Sequence, residues 1–191
     1  MKKIMILMAV VASAVAANAA TIMWSATKGY LYEAGGESKV TSGSAYLMVL
    51  TAGYDQSDLV SAFVTAKGDS TATLAAMGAS GAFAEGAGTI GSNSRITGGE
   101  STYAMTADAS VYFVVFNGNN MFISDTVNAS YDSVTGEASA SFAAMSTSSK
   151  AAALDATKGY TSAGWYAVPE PTSGLLILVG LAGLALRRRR A

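Results

Sequence analysis

Four groups of residues in this chain have types and spacings that chemistry could use. Ser25-Ala26-Thr27-Lys28 sets a hydroxyl three residues before an amine, the arrangement of a serine nucleophile activated by a lysine. That pair needs its serine at the start of a buried helix, and Gly29 interrupts this one at once. The companion Ser-Asp-Asn and Lys-Thr-Gly segments are also absent. Gly86-Ala87-Gly88-Thr89-Ile90-Gly91 has the spacing of a dinucleotide-binding glycine loop, and Asp108 lies 20 residues past Gly88. The mechanism requires a strand before the glycines and a helix after them, so that the helix N-terminus meets the pyrophosphate. Here Ser92-Asn93-Ser94-Arg95 and then Gly98-Gly99 follow, so a loop reading is preferred. Asp55 and Asp58 could offer oxygens to Ca²⁺, but such a site wants about six to eight of them. Acids at a helix start, favoured by its dipole, are the simpler account. Glu33 and Glu37 are candidate carboxylates for glycoside hydrolysis, which needs two carboxyls facing each other across a sugar, about 5–10 Å apart. Their spacing gives no sign of that geometry. Trp24, Tyr30, Tyr160, Trp165 and Tyr166 could stack on sugars or fill a core, and packing is the preferred reading for most of them.

Composition narrows the field further. The 191 residues include no His and no Cys. That excludes a Ser-His or Cys-His machine, imidazole or thiolate metal ligation, and any disulfide framework. The formal net charge is −1, but residues 20–171 hold 6 basic residues against all 13 acids, a net of −7. Polyphosphate would repel so acidic a body, so no nucleic-acid partner is expected. The reading is a non-enzyme with no cofactor and no metal.

The elements that give the chain its destination lie at its ends. Lys2 and Lys3 precede an apolar run from Ile4 to Val15, too short to span a bilayer. Ala17-Asn18-Ala19 then supplies the small-x-small pattern that a signal peptidase pocket admits. Residues 1–19 read as a secretory signal peptide cleaved after Ala19, with Ala17 and Ala19 as the cleavage residues. At the other end, Val168-Pro169-Glu170-Pro171 is followed by the uncharged, mostly apolar run 174–186 and then by Arg187, Arg188, Arg189 and Arg190. A helix over 174–186 would reach only about 20 Å of a hydrocarbon core of about 30 Å, so thinning, snorkelling or a transient stay must cover the mismatch. The arginines should stay cytoplasmic and hold residues 20–171 outside. Both prolines of the chain fall in 169–171, where they stiffen and extend the backbone around one carboxylate.

Residues 167–191 resemble the PEP-CTERM sorting signal of Gram-negative bacteria: tripeptide, short apolar helix, basic cluster and terminal position occur together with an N-terminal signal. The resemblance implies recognition by exosortase, a membrane-embedded cysteine-type transpeptidase-like enzyme. It further implies tail removal and delivery to the outer surface or extracellular polysaccharide matrix. Carried onto this chain, Pro169, Glu170 and Pro171 are the sorting motif, and Arg187, Arg188, Arg189 and Arg190 the stop-transfer cluster. The implied partners are signal peptidase, an exosortase-like processing enzyme, the inner membrane and extracellular polysaccharide. The family implies nothing about the passenger between the ends.

That passenger, residues 20–167, is read from composition. Over 20–168 there are 17 of the 20 glycines, no proline before Pro169, and 37 Ser and Thr among 149 residues. Short apolar runs between turns predict a mainly β fold, sandwich-like or irregular α+β, with one to three short helices. Strands are expected over 29–34, 45–51, 102–106, 110–116, 120–124, 138–145 and 164–168, and helices from Gln56 or Ser57 to Gly68, over 71–77 and over 149–157. Asn117-Gly118-Asn119 should close a hairpin at the sheet centre, and residues 132–137 another turn. Residues 78–101, punctured by glycines, read as a long surface loop or loosely ordered edge. Ala-Thr-Lys-Gly-Tyr occurs at 26–30 and again at 156–160, which suggests that the two ends of the domain pack side by side. The expected role is structural or adhesive at the cell surface or in the matrix. The alternative is a carbohydrate-binding module, and a secreted hydrolase ranks last.

Overall fold

The computed structural model describes residues 19–36, 38–142 and 152–169. Ten described strands are built from short runs of apolar and small polar residues, most of which alternate and so present one face to a core. They are β1 Ala19–Ala26, β2 Ser44–Val49, β3 Glu85–Ile90, β4 Ile96–Ala104, β5 Ala109–Asn117, β6 Asn120–Ile123, β7 Val127–Asp132, β8 Glu137–Ser141, β9 Leu154–Asp155 and β10 Gly164–Ala167. The pairing order is β2-β3-β4-β1-β8-β7-β5-β6-β10-β9, and β2 also pairs with β5. That extra pairing closes the first seven strands into a barrel, which removes their exposed edges. Strands β6, β10 and β9 peel off it as a flap.

The fork is at Ser124. Strand β5 pairs through Val111 with β7 and from Val114 onward with β6, so one edge serves two partners in succession. Between them the Ser124 hydroxyl accepts from the Phe113 N–H at 2.9 Å and donates to the Asp125 carbonyl at 2.8 Å. The backbone N–H of Ser124 donates to the Phe113 carbonyl at 3.0 Å. A buried serine thus keeps the ladder satisfied where the sheet splits.

Two apolar layers result. Ile22, Trp24, Leu47, Val111, Phe113, Val115, Phe122 and Trp165 fill the barrel. Helices α1, Gln56–Thr65, and α2, Ser70–Ala79, cover its outside over β2, β5 and β6, burying Met48, Leu59, Phe63, Met77, Tyr112 and Val114. Strand β5 is therefore buried on both faces, which is why it is apolar at nearly every position. Helix α1 begins with a capping box: Asp55 accepts from the Ser57 N–H at 2.7 Å, and Asp58 accepts from the Asp55 N–H at 2.8 Å. It ends at Gly68, whose φ of +85° and bond to the Phe63 carbonyl make a left-handed stop.

The mainly β expectation holds, as do the strands at 45–51, 110–116, 120–124 and 164–168, both α-helices and both turns. Three expectations are corrected. Residues 78–101 are not a surface loop, because 85–90 and 96–104 form the β3–β4 hairpin inside the barrel wall. Residues 29–34 are not a strand: Tyr32 makes one isolated bridge to Lys39, and Leu31 is held instead by Ser94. Residues 152–157 do not form a helix; they give β9 and the start of a 3₁₀ turn, Ala156–Lys158, and 149–151 lie outside the described residues. Strands β1, β7 and β9 were not anticipated.

Candidate functional site

The sorting segment leaves directly from the β6–β10 flap. Strand β10 runs antiparallel to β6, Ala167 lies opposite Asn120, and the Val168 N–H donates to the Asn119 carbonyl at 3.0 Å. Pro169 follows at once and is exposed. It has no N–H to extend the ladder, so the last described ladder bond falls one residue before the tripeptide. Pro169 is the motif residue the structure places; Ala17, Glu170, Pro171, the apolar run 174–186 and Arg187–Arg190 lie outside the described residues. No described helix is long and apolar enough to cross a membrane.

Ala19, the other expected processing residue, is the first residue of β1, opposite Ala104, and Ala20 is buried. The expected cut between them therefore lies inside a paired strand. A peptidase that needs extended, unpaired backbone must act before β1 joins β4.

The termini leave opposite ends of the barrel. Strand β1 starts beside Glu137 at the start of β8, its parallel neighbour, and ends opposite Ile96. The end it reaches carries the β3–β4 turn, the β5–β6 turn and the exit at Val168. The end it leaves carries Asp132 and Glu137, paired at the base of the β7–β8 turn.

The other candidate groups are taken up by the fold. Asp55 and Asp58 cap α1. Asp108 accepts from the Tyr131 N–H at 2.8 Å and from the Asn128 amide at 3.1 Å. Asp132 and Asp155 accept hydrogen bonds within their own turns, which hold both carboxyls below their usual value. Glu33 is exposed, and Glu37 lies outside the described residues. Gly86–Gly91 belongs to β3 and its following turn, leading into β4. Ser25 is in β1, where its carbonyl accepts from the Phe142 N–H. Among the described residues no three acids gather closely enough to hold a metal ion.

Three of the five candidate stacking aromatics are interior. Trp24, Trp165 and Tyr166 are buried, so they form no surface platform. Trp24 stacks on Phe113, Phe113 meets Phe122, and Phe122 meets Trp165, with centroids 6.1, 5.7 and 5.6 Å apart. The two ends of the domain thus share one core, and the Trp165 indole N–H donates directly to the Tyr32 carbonyl at 2.7 Å. The two Ala-Thr-Lys-Gly-Tyr copies do not pair; Gly29 and Gly159 adopt the same φ, +76° and +75°, in different layers. Tyr160 packs on Tyr166 at 5.8 Å.

Tyr30 alone of the five is exposed, and it has company that spacing did not reveal. The Lys39 ammonium lies 3.4 Å from its ring centroid and the Arg95 guanidinium carbon 5.5 Å. Ser94, buried at φ +59°, builds this cluster: its hydroxyl donates to the Leu31 carbonyl and accepts from the Leu31 N–H at 3.0 Å. Arg95 Nε is buried with no hydrogen-bond partner. The Tyr32–Lys39 bridge and the Val40 N–H bond to the Leu31 carbonyl bring Lys39 beside Tyr30, and the Leu31–Ser94 clamp brings Arg95 from far along the chain, so spacing alone did not show the cluster.

Residues 167–190 match the family described as the PEP-CTERM protein-sorting motif. No curated protein and no solved structure matches the chain. The chain thus carries a C-terminal PEP-CTERM sorting motif, which implies export by membrane-anchored sorting and processing by exosortase.

Proposed function

We propose that the barrel is a non-catalytic passenger, delivered to the cell surface or extracellular matrix and acting there as a structural or adhesive element. One observation carries the reading: the Pro169-Glu170-Pro171 tripeptide begins one residue after the last described hydrogen bond of the β6–β10 flap, at Val168. The tail thus displays the whole folded unit, and its removal at the motif would leave that unit intact. The roles of the acids agree. Asp55, Asp58, Asp108, Asp132 and Asp155 are each engaged in capping, bridging or shaping a turn.

In this reading Pro169, Glu170 and Pro171 are what the processing enzyme grips, a stiff extended segment bearing one charge. Arg187–Arg190 hold the run 174–186 in place from the cytoplasmic side. Cell fractionation tests it. Glu170→Ala, or deletion of residues 187–190, should strand the protein in the wrong fraction, and unchanged fractionation of both would overturn the reading. Intact mass of the native product should show a chain that starts at Ala20 and lacks the tail.

A further inference from the structure

Charge is unevenly distributed along the barrel. Lys28 follows the end of β1, Lys39 and Arg95 flank Tyr30, and Lys67 sits at the end of α1, where Gly68 abuts Asn119 of the β5–β6 turn. All four lie at the end from which Val168 and Pro169 emerge, where the described acids are Glu33, Asp69 and Asp155, the last level with Ala167. Lys158, the remaining basic residue described, neighbours Asp155 and offsets it. The far end holds Asp55, Asp108, Asp132 and Glu137. A domain of net −7 therefore turns its scarce cations toward its own tail.

We propose that this end is a docking surface for anionic phospholipid headgroups, with Tyr30, Lys39 and Arg95 at its centre and Lys28 and Lys67 beside it. The proposal rests on the reading that residues 174–186 enter a membrane. Residues 169–173 then allow at most about 18 Å between the barrel and the bilayer. The tether keeps this end within reach of the bilayer, and once it comes within a Debye length, about 8–10 Å, its cations are drawn to an anionic surface, which orients the barrel on its tether. An exposed tyrosine with cations at its ring suits an interface, with an apolar body and a polar tip. The half-buried Arg95 guanidinium beside the Tyr30 ring is a planar cation of the kind that pairs with phosphate oxygens.

The experiment uses the full chain in nanodiscs of phosphatidylcholine alone, or of equal parts phosphatidylcholine and phosphatidylglycerol, with amide hydrogen exchange as the readout. The 91–95 turn and the segment 28–40 should be protected only on the anionic discs, and the protection should fade with salt. The 132–137 turn should exchange equally on both. Lys39→Ala should weaken vesicle binding about fivefold, the expected effect of one basic residue near the surface. Lys39→Glu should abolish the protection while tryptophan fluorescence still reports a folded barrel. Equal exchange on both compositions overturns the proposal. So does the same protection produced by inorganic phosphate or a soluble acidic polysaccharide without lipid, which would make the cluster a soluble-anion site. A chain that fails to insert defeats the tail reading instead, and docking is then read from its flotation with vesicles of the two compositions. Equal flotation on both overturns it.

Discussion

The β5–β6 and β3–β4 hairpins do similar work with opposite materials. In β5–β6, Val111 to Val115 and Met121 to Ile123 fill both layers with their own side chains, and the turn needs one glycine, Gly118 at φ +57°. In β3–β4 the mass comes from elsewhere. A Cβ on Gly99 would lie 2.5 Å from the Trp24 indole, and one on Gly88 would lie 2.6 Å from Ile96 and 3.0 Å from Trp24. The glycines form a floor on which the aromatic of β1 rests. Its Nε1–H donates to the Ser101 hydroxyl at 3.0 Å, which sets the indole's orientation. Both partner strands see a register shift where β4 bulges near Gly98, at φ +65°. A strand can thus be nearly devoid of side chains when its neighbour supplies one large enough for both.

That comparison can be broken or sharpened. The largest effects should come from the two rings that bind the hairpins together. Trp24→Ala and Phe113→Ala should each cost about 3–5 kcal/mol, read from denaturant midpoints. Equal tolerance of Trp24→Ala and a surface substitution would refute the idea that the glycine hairpin borrows its core. Gly99→Ala comes next, at about 1–3 kcal/mol from overpacking. Its cost should shrink in a Trp24→Ala background, because the clash is with the indole. Additive costs in the double-mutant cycle would place the strain in the backbone instead. Ser101→Ala should cost about 1–3 kcal/mol by stranding a buried indole N–H, with a shift in tryptophan emission.

The smallest effect at neutral pH belongs to Tyr112 on the outer face of β5. Burial, with Asp55, Asp58 and Tyr160 nearby, pushes its phenol above the ordinary value of 10.0. A folded-state value above the unfolded one means that stability is fully present below pH 10.0 and is lost as pH rises beyond it. Tyr112→Phe should therefore flatten alkaline unfolding. If the phenol titrates with the exposed tyrosines in ultraviolet absorbance, the apolar hairpin is wetter than described.

The two hairpins also show how far the sequence could be read. Val111–Phe116 and Asn117-Gly118 were legible because their apolar content and turn chemistry are local. Residues 78–101 were misread as a loop because the side chain that covers their glycines, Trp24, belongs to a strand far away in the chain. Strand β1 was hidden by the expected signal peptide before it, and β9 has too few residues for any periodicity. At the tail, Pro169 to Arg190 was legible as an ordered run of stiffness, apolarity and charge. The cluster of Tyr30, Lys39 and Arg95 was not, because Ser94 assembles it across chain distance.

By itself the sequence determined that the chain carries a sorting motif for export. A processing enzyme reads a short extended peptide, so the information lies in consecutive residues and survives without a fold. It also determined the mainly β class, through the short alternating runs that can bury only one face. The tertiary structure alone decided which glycines are strand, which aromatics are interior, and that the tail leaves the end where the cations gather. Those outcomes depend on closing the β2–β5 pairing, which brings into contact residues whose side chains are uninformative until they meet.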